Sequence, residues 1–120
     1  MTKWTMPEWA TPTDMVKEFI KLTDQVVDAN LYATLIDEEQ EEFQKEKPDT
    51  VGELKELADL VYVCYGYAIA RGYNLDEAIK RVHENNVGRC IQPDGTVQRR
   101  ADGKIMKNPD YPKVYLDDLL

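Results

Sequence analysis

A chain of 120 residues, 42% of them hydrophobic, suffices for one domain with one core and is too apolar for a disordered protein. A net charge of −8 speaks against gripping a nucleic acid polymer, and no 18-residue apolar stretch offers a membrane span. The N-terminus has no apolar run of signal-peptide type. The two cysteines, Cys64 and Cys90, form no C-x-x-C pair, so both are expected reduced in a cytoplasmic protein.

Thr11-Pro12-Thr13-Asp14 reads as a helix start, with Thr11 as N-cap, Pro12 at the first helical position and Asp14 two further on. Met15, Phe19, Leu22 and Val26 then recur at spacings of 4, 3 and 4, which predicts a first helix over about 12–29. A second helix covers about 31–46 and stops before Pro48, because a proline disfavours the helical region for the residue before it. Thr50 with Glu53 makes a capping box for a third helix that runs to about Arg71, where Gly72 suits a left-handed terminus. Asn74-Leu75-Asp76-Glu77 opens a fourth, with Leu75, Ile79 and Val82 as its apolar face up to about Arg89 and His83 expected to pack against a neighbouring helix. Beyond Cys90 the turn signals Pro93-Asp94-Gly95 and Asp102-Gly103 take over, and Thr96–Arg100 could pair with Lys104–Lys107 as a small hairpin. The expected architecture is all-α: one domain over 1–120, with a four-helix core over about 12–90 and an irregular basic C-terminal loop region over 91–120.

The third helix is unusual. Leu57 to Ala70 reads LADLVYVCYGYAIA, apolar or aromatic almost all round, which predicts burial on most sides. Three companion helices in so short a chain shield such a helix poorly. A second subunit is therefore expected to cover part of it.

Charge points to a site. Residues 1–79 carry 7 basic and 17 acidic side chains, whereas residues 80–116 carry 8 and 4. Carboxylates that hold cations, next to basic groups that meet an anion, would give this split; solubility would too. In LIDEEQEEF, Leu35 to Phe43, five of nine residues are acidic. The stripe Tyr32, Ile36, Glu39, Phe43 places Glu39 within an apolar face. Glu38 and Glu42 are expected on that buried face too, whereas Asp37 and Glu41 lean to solvent. On the third helix Asp59 is the one charge between Leu57 and Ala70, and Glu56 precedes it by three. A buried carboxylate must be paired, protonated or bound to metal. No basic partner is evident on that face, since Lys55, adjacent to Glu56, is expected to point elsewhere. Antiparallel packing across the Pro48 link would bring Glu39 and Glu42 opposite Glu56 and Asp59. Four carboxylates in one place need divalent cations, and hard oxygen ligands favour Mg²⁺ or Mn²⁺. A di-iron bundle needs Glu-x-x-His, and the residue three before His83 is Lys80; an EF-hand loop is absent as well.

The pattern E-x-x-E, thirteen residues, E-x-x-D, formed by Glu39, Glu42, Glu56 and Asp59, resembles the all-α nucleoside triphosphate pyrophosphohydrolases. These are the MazG-like group, which includes phosphoribosyl-ATP pyrophosphohydrolase. KELADLVYVCYGYAIARGYNLDEAIKRVHENN is similar to the second metal helix of the family and the helix after it. DGTVQRRADGKIMKNPDY is similar to the tail of the phosphoribosyl-ATP branch. The resemblance spans about 13–112. It implies Mg²⁺, with Mn²⁺ as a substitute, on the four carboxylates, and hydrolysis of a (d)NTP between the α- and β-phosphates to a monophosphate and pyrophosphate. Glu38 is the best carboxylate left unassigned for activating water, with a supporting or solvated role as the alternative. Asn86, Arg89 and Lys104 match positions that touch phosphate or sugar, and Arg100 and Lys107 could do the same from the loop. Gln40 and Glu41 let E-x-x-E also fit Glu38 with Glu41; the apolar stripe favours Glu39 with Glu42. The family implies a homodimer or homotetramer. No synthase or cyclohydrolase-like segment adjoins, which lowers the phosphoribosyl-ATP reading. Trp4, Trp9 and several tyrosines could stack on a large base, favouring a purine deoxynucleotide such as dGTP over dCTP or dUTP. From another class, a non-catalytic acidic helical interaction module remains open.

Overall fold

A computed structural model describes residues 7, 8 and 10–120. It contains four α-helices, α1 (Pro12–Leu22), α2 (Ala29–Lys45), α3 (Val51–Arg71) and α4 (Leu75–Cys90), and no strand among the described residues. The fold is all-α, as the periodicity predicts. The chain divides into two compact units, Met1–Leu75 and Asp76–Leu120.

In the first unit α3 packs against both α2 and α1. Helix α1 begins in a full capping box: Asp14 N donates to Thr11 Oγ1 at 3.2 Å and Thr11 N to Asp14 Oδ2 at 3.0 Å. It ends about two turns short of the expected residue 29. The Thr23 hydroxyl donates back to Phe19 O at 2.7 Å, and Asp24 takes φ 51, a left-handed turn that a short polar side chain tolerates. Val26 is consequently 86% exposed, and the buried contact of α1 is Val16, one residue round from the predicted stripe. Helix α2 is capped by Asp28, whose Oδ1 accepts from Asn30 N at 2.9 Å. Its predicted stripe faces inward, with Tyr32 buried and Ile36, Glu39 and Phe43 half-buried.

The link to α3 turns on Asp49 at φ 62. Thr50 Oγ1 accepts from Glu53 N at 3.1 Å, while Glu53 Oε1 reaches Asp49 N at 3.2 Å, one residue before the usual capping-box donor. Gly72 ends α3 at φ 74, as expected. Gly66 is the point of closest approach: a Cβ there would collide with the Tyr32 ring, so glycine lets α2 lie directly on α3. Phe19 meets Tyr62 edge to face, centroids 5.9 Å apart.

Burial along α3 departs from expectation. Only its C-terminal part is well covered, with Gly66 and Ala68 buried. Val51, Leu54, Leu57, Val61 and Tyr62 are exposed in the single chain. Composition predicts a preference for burial, but it cannot say which stretch of a helix its own chain reaches.

In the second unit, α4 is followed by irregular chain with two isolated antiparallel bridges, Ile91 to Val97 and Arg99 to Ile105. The second lies inside the expected hairpin and is flanked by Met106 N to Gln98 O and Arg100 N to Lys104 O, each 2.8 Å. The terminal segment is tied to α4. Arg81 holds Asp118 through both Nη atoms, at 2.6 and 3.0 Å, and also donates to Tyr115 O at 3.1 Å and to Glu77 Oε1 at 3.1 Å. Asn85 Nδ2 donates to Pro112 O at 2.8 Å. His83 is exposed rather than packed.

Candidate metal and active site

Helical spacing builds the site. Glu56 and Asp59 are three residues apart on α3 and so share a face, and the stripe of α2 turns Glu39 toward α3. Oxygen atoms of Glu39, Glu56 and Asp59 all lie within 4.8 Å of one another. Glu39 Oε2 and Glu56 Oε2 are buried without a hydrogen-bond partner. Desolvation pushes the Glu39 carboxyl above its ordinary range, and the charges of Glu42, Asp59 and Glu56 push it further; Lys55 opposes them. Oriented, partly dehydrated oxygens of like charge are the donor set a hard divalent cation takes, so these residues fit such an ion.

Two expectations about these acids need correction. Glu38 and Glu42 do not share a buried face with Glu39; both are exposed, like Asp37 and Glu41. Glu38 and Glu42 each stand one position before a half-buried residue of the stripe, Glu39 and Phe43, and about 100° of helical rotation turns them to solvent. Glu42 stays close enough to act on Glu39 through its charge.

Asp59 is not an unpaired buried charge either. Its side chain is 38% exposed, and Lys55 Nζ lies 2.6 Å from its Oδ2 and 3.5 Å from Glu56 Oε1. Lys55 is adjacent to Glu56 but one turn before Asp59, and its flexible stem brings the ammonium across the face between them. Sequence reasoning missed this residue. The i, i+4 Lys–Asp spacing was the available signal.

The remaining candidates belong to the second unit. Asn86 is exposed on α4, and Arg89 is half-buried, its carbonyl accepting from Asn108 N at 2.9 Å. The Arg100 guanidinium is engaged by Asp102, at 2.6 Å from Nη2 and 3.2 Å from Nε. Lys104 and Lys107 are exposed in the loop. Trp4 and Trp9 lie outside the described residues. No helix among the described residues is long and apolar enough to cross a membrane.

The family model of phosphoribosyl-ATP pyrophosphohydrolase matches residues 7–86. That span contains every carboxylate of the cluster and stops short of Arg89, Arg100, Lys104 and Lys107. No curated protein matches the chain.

Proposed function

The chain belongs to the phosphoribosyl-ATP pyrophosphohydrolase family and is a pyrophosphohydrolase acting on an acid anhydride; from that premise we propose that it hydrolyses a nucleoside triphosphate to the monophosphate and pyrophosphate with Mg²⁺. The observation that carries this reading is the convergence of Glu39, Glu56 and Asp59 with two buried, partnerless oxygens. Those three, with Glu42 beside them, would hold the ion. When bound, it would neutralise phosphate oxygens and lower the pKa of water.

The protein's own groups supply the rest. Glu38, exposed and one helical turn from Glu42, is the group proposed to take the proton from attacking water. The hydroxyl goes to the α-phosphorus, the bond to the bridging oxygen breaks, and pyrophosphate leaves. Asn86, Arg89, Arg100, Lys104 and Lys107 are the groups proposed to meet phosphate and sugar; Arg100 would first have to leave Asp102.

A purine deoxynucleotide such as dGTP is the favoured substrate, on the strength of the aromatic content, with dCTP, dUTP and phosphoribosyl-ATP as alternatives. A second copy of the chain is the proposed cover for the exposed Val51, Leu54, Leu57 and Val61 of α3. The test is a panel of every NTP and dNTP plus phosphoribosyl-ATP, with Mg²⁺, read as pyrophosphate release. Release from one dNTP far above the rest is the expected outcome. Release from none would overturn the reading in favour of a non-catalytic acidic interaction module.

A further inference from the structure

Lys55 is placed to compete with a metal for its ligands. Its ammonium contacts Asp59 Oδ2 at 2.6 Å and Glu56 Oε1 at 3.5 Å, and these acids are two of the three that converge within 4.8 Å. The lysine side chain is 65% exposed on a flexible stem, so its head can swing into water at small cost. It meets the exposed edge of the cluster and leaves Glu39 Oε2 and Glu56 Oε2 unpartnered in the interior. A monovalent group on a tether therefore offsets part of the repulsion without filling the site.

We propose that Lys55 is a built-in counter-ion that a divalent cation must displace, and that it lowers the affinity of the free protein for metal. This rests on the reading of the carboxylate cluster as a metal site. Two states follow from competition for shared oxygens: ammonium on Asp59 and Glu56, or metal on them and the lysine in solvent. Removing the lysine abolishes the first state, so metal binding tightens while the metal-free protein loses stability.

The experiment is calorimetric titration of the full chain with Mn²⁺ alone, in parallel with thermal denaturation with and without Mn²⁺. Lys55→Gln is expected to bind Mn²⁺ about two- to fivefold more tightly than the unmodified chain, the range an exposed ion pair supports. Its metal-free melting temperature falls, and the difference closes at saturating Mn²⁺. Lys55→Arg keeps the charge and binds close to the unmodified chain. Lys21→Gln removes a positive charge from the last turn of α1, a helix that carries none of the proposed metal ligands, and is expected to leave Mn²⁺ affinity unchanged.

Equal or weaker Mn²⁺ binding by Lys55→Gln, with binding intact in the unmodified chain, would overturn the competitor role and leave the metal site standing. Equal tightening in Lys21→Gln would reduce the effect to net charge and overturn it as well. Absence of Mn²⁺ binding to the unmodified chain would overturn the metal site and the competitor together.

Discussion

Two charged clusters in this protein set acids around one basic side chain to opposite ends. In the second unit, Arg81 stands between Glu77 and Asp118, and its guanidinium donates to both carboxylates and to Tyr115 O. Each carboxylate has a donor, the planar donor fork is well used, and Asp118 is held below its ordinary carboxyl range by its bonds to Arg81. In the first unit, Glu39, Glu56 and Asp59 face one ammonium, with Glu42 adding to the repulsion, and Glu39 is pushed above its ordinary range. A satisfied cluster fastens a chain segment. An unsatisfied one stores unfavourable energy that a ligand can release, which is why perturbed, converging acids mark candidate sites.

The largest expected effect tests the unsatisfied cluster. Glu56→Ala or Asp59→Ala should lower pyrophosphate release at least about 100-fold, by analogy with losses seen when metal shells are disturbed. Circular dichroism should show the helices retained. Normal turnover in either variant would remove that residue from the site and erase its contrast with Arg81.

Next in size is a packing effect that both acids of α3 depend on. Gly66→Ala forces a methyl group into the Tyr32 ring and should destabilise the first unit by about 1–3 kcal/mol in urea denaturation. Activity should fall with it, because α2 carries Glu39 to α3.

A smaller effect has the opposite sign. Glu39→Gln should raise the metal-free melting temperature at neutral pH while abolishing Mn²⁺ binding. The folded pKa of Glu39 is raised above 4.5, so the native state holds the proton more tightly than the unfolded chain. Stability of the unmodified protein therefore falls as pH rises from about 4.5 through the raised folded value. The advantage of Glu39→Gln should be full above that value and vanish below 4.5, read from melts across pH 4 to 8 in a chelator.

The smallest effect belongs to the satisfied cluster. The Asp118 pKa is lowered from 3.8, so its contribution is present above that value and is lost as pH falls through the lowered folded one. Asp118→Asn should speed amide exchange over residues 111–120 and leave exchange in α3 unchanged.

Much of this was legible in the sequence. The caps at Thr11 and Thr50 and the glycine at 72 follow local rules, because a helix end needs partners for its own backbone groups within a few residues. The stripe Tyr32, Ile36, Glu39, Phe43 was legible for a similar reason: 3.6-residue periodicity is a property of one helix. The first helix was read too long because the apolar repeat continues through Val26, whereas Thr23 and Asp24 turn the backbone away. A hydroxyl bonding back to the preceding turn competes with the repeat and wins at the helix end.

The sequence by itself determined the helices, the acidic pattern and the apolar character of α3. Only tertiary structure decided which acids converge and what meets them. Glu38, Glu39 and Glu42 have the same chemistry, and the packing of α2 on α3 half-buries Glu39 and leaves the other two in solvent. Asp59 looked isolated along the chain, yet Lys55 reaches it, because a long side chain follows distance in space rather than order in sequence. Burial is a property of neighbours, and a helix cannot specify alone which of its faces its neighbours will cover.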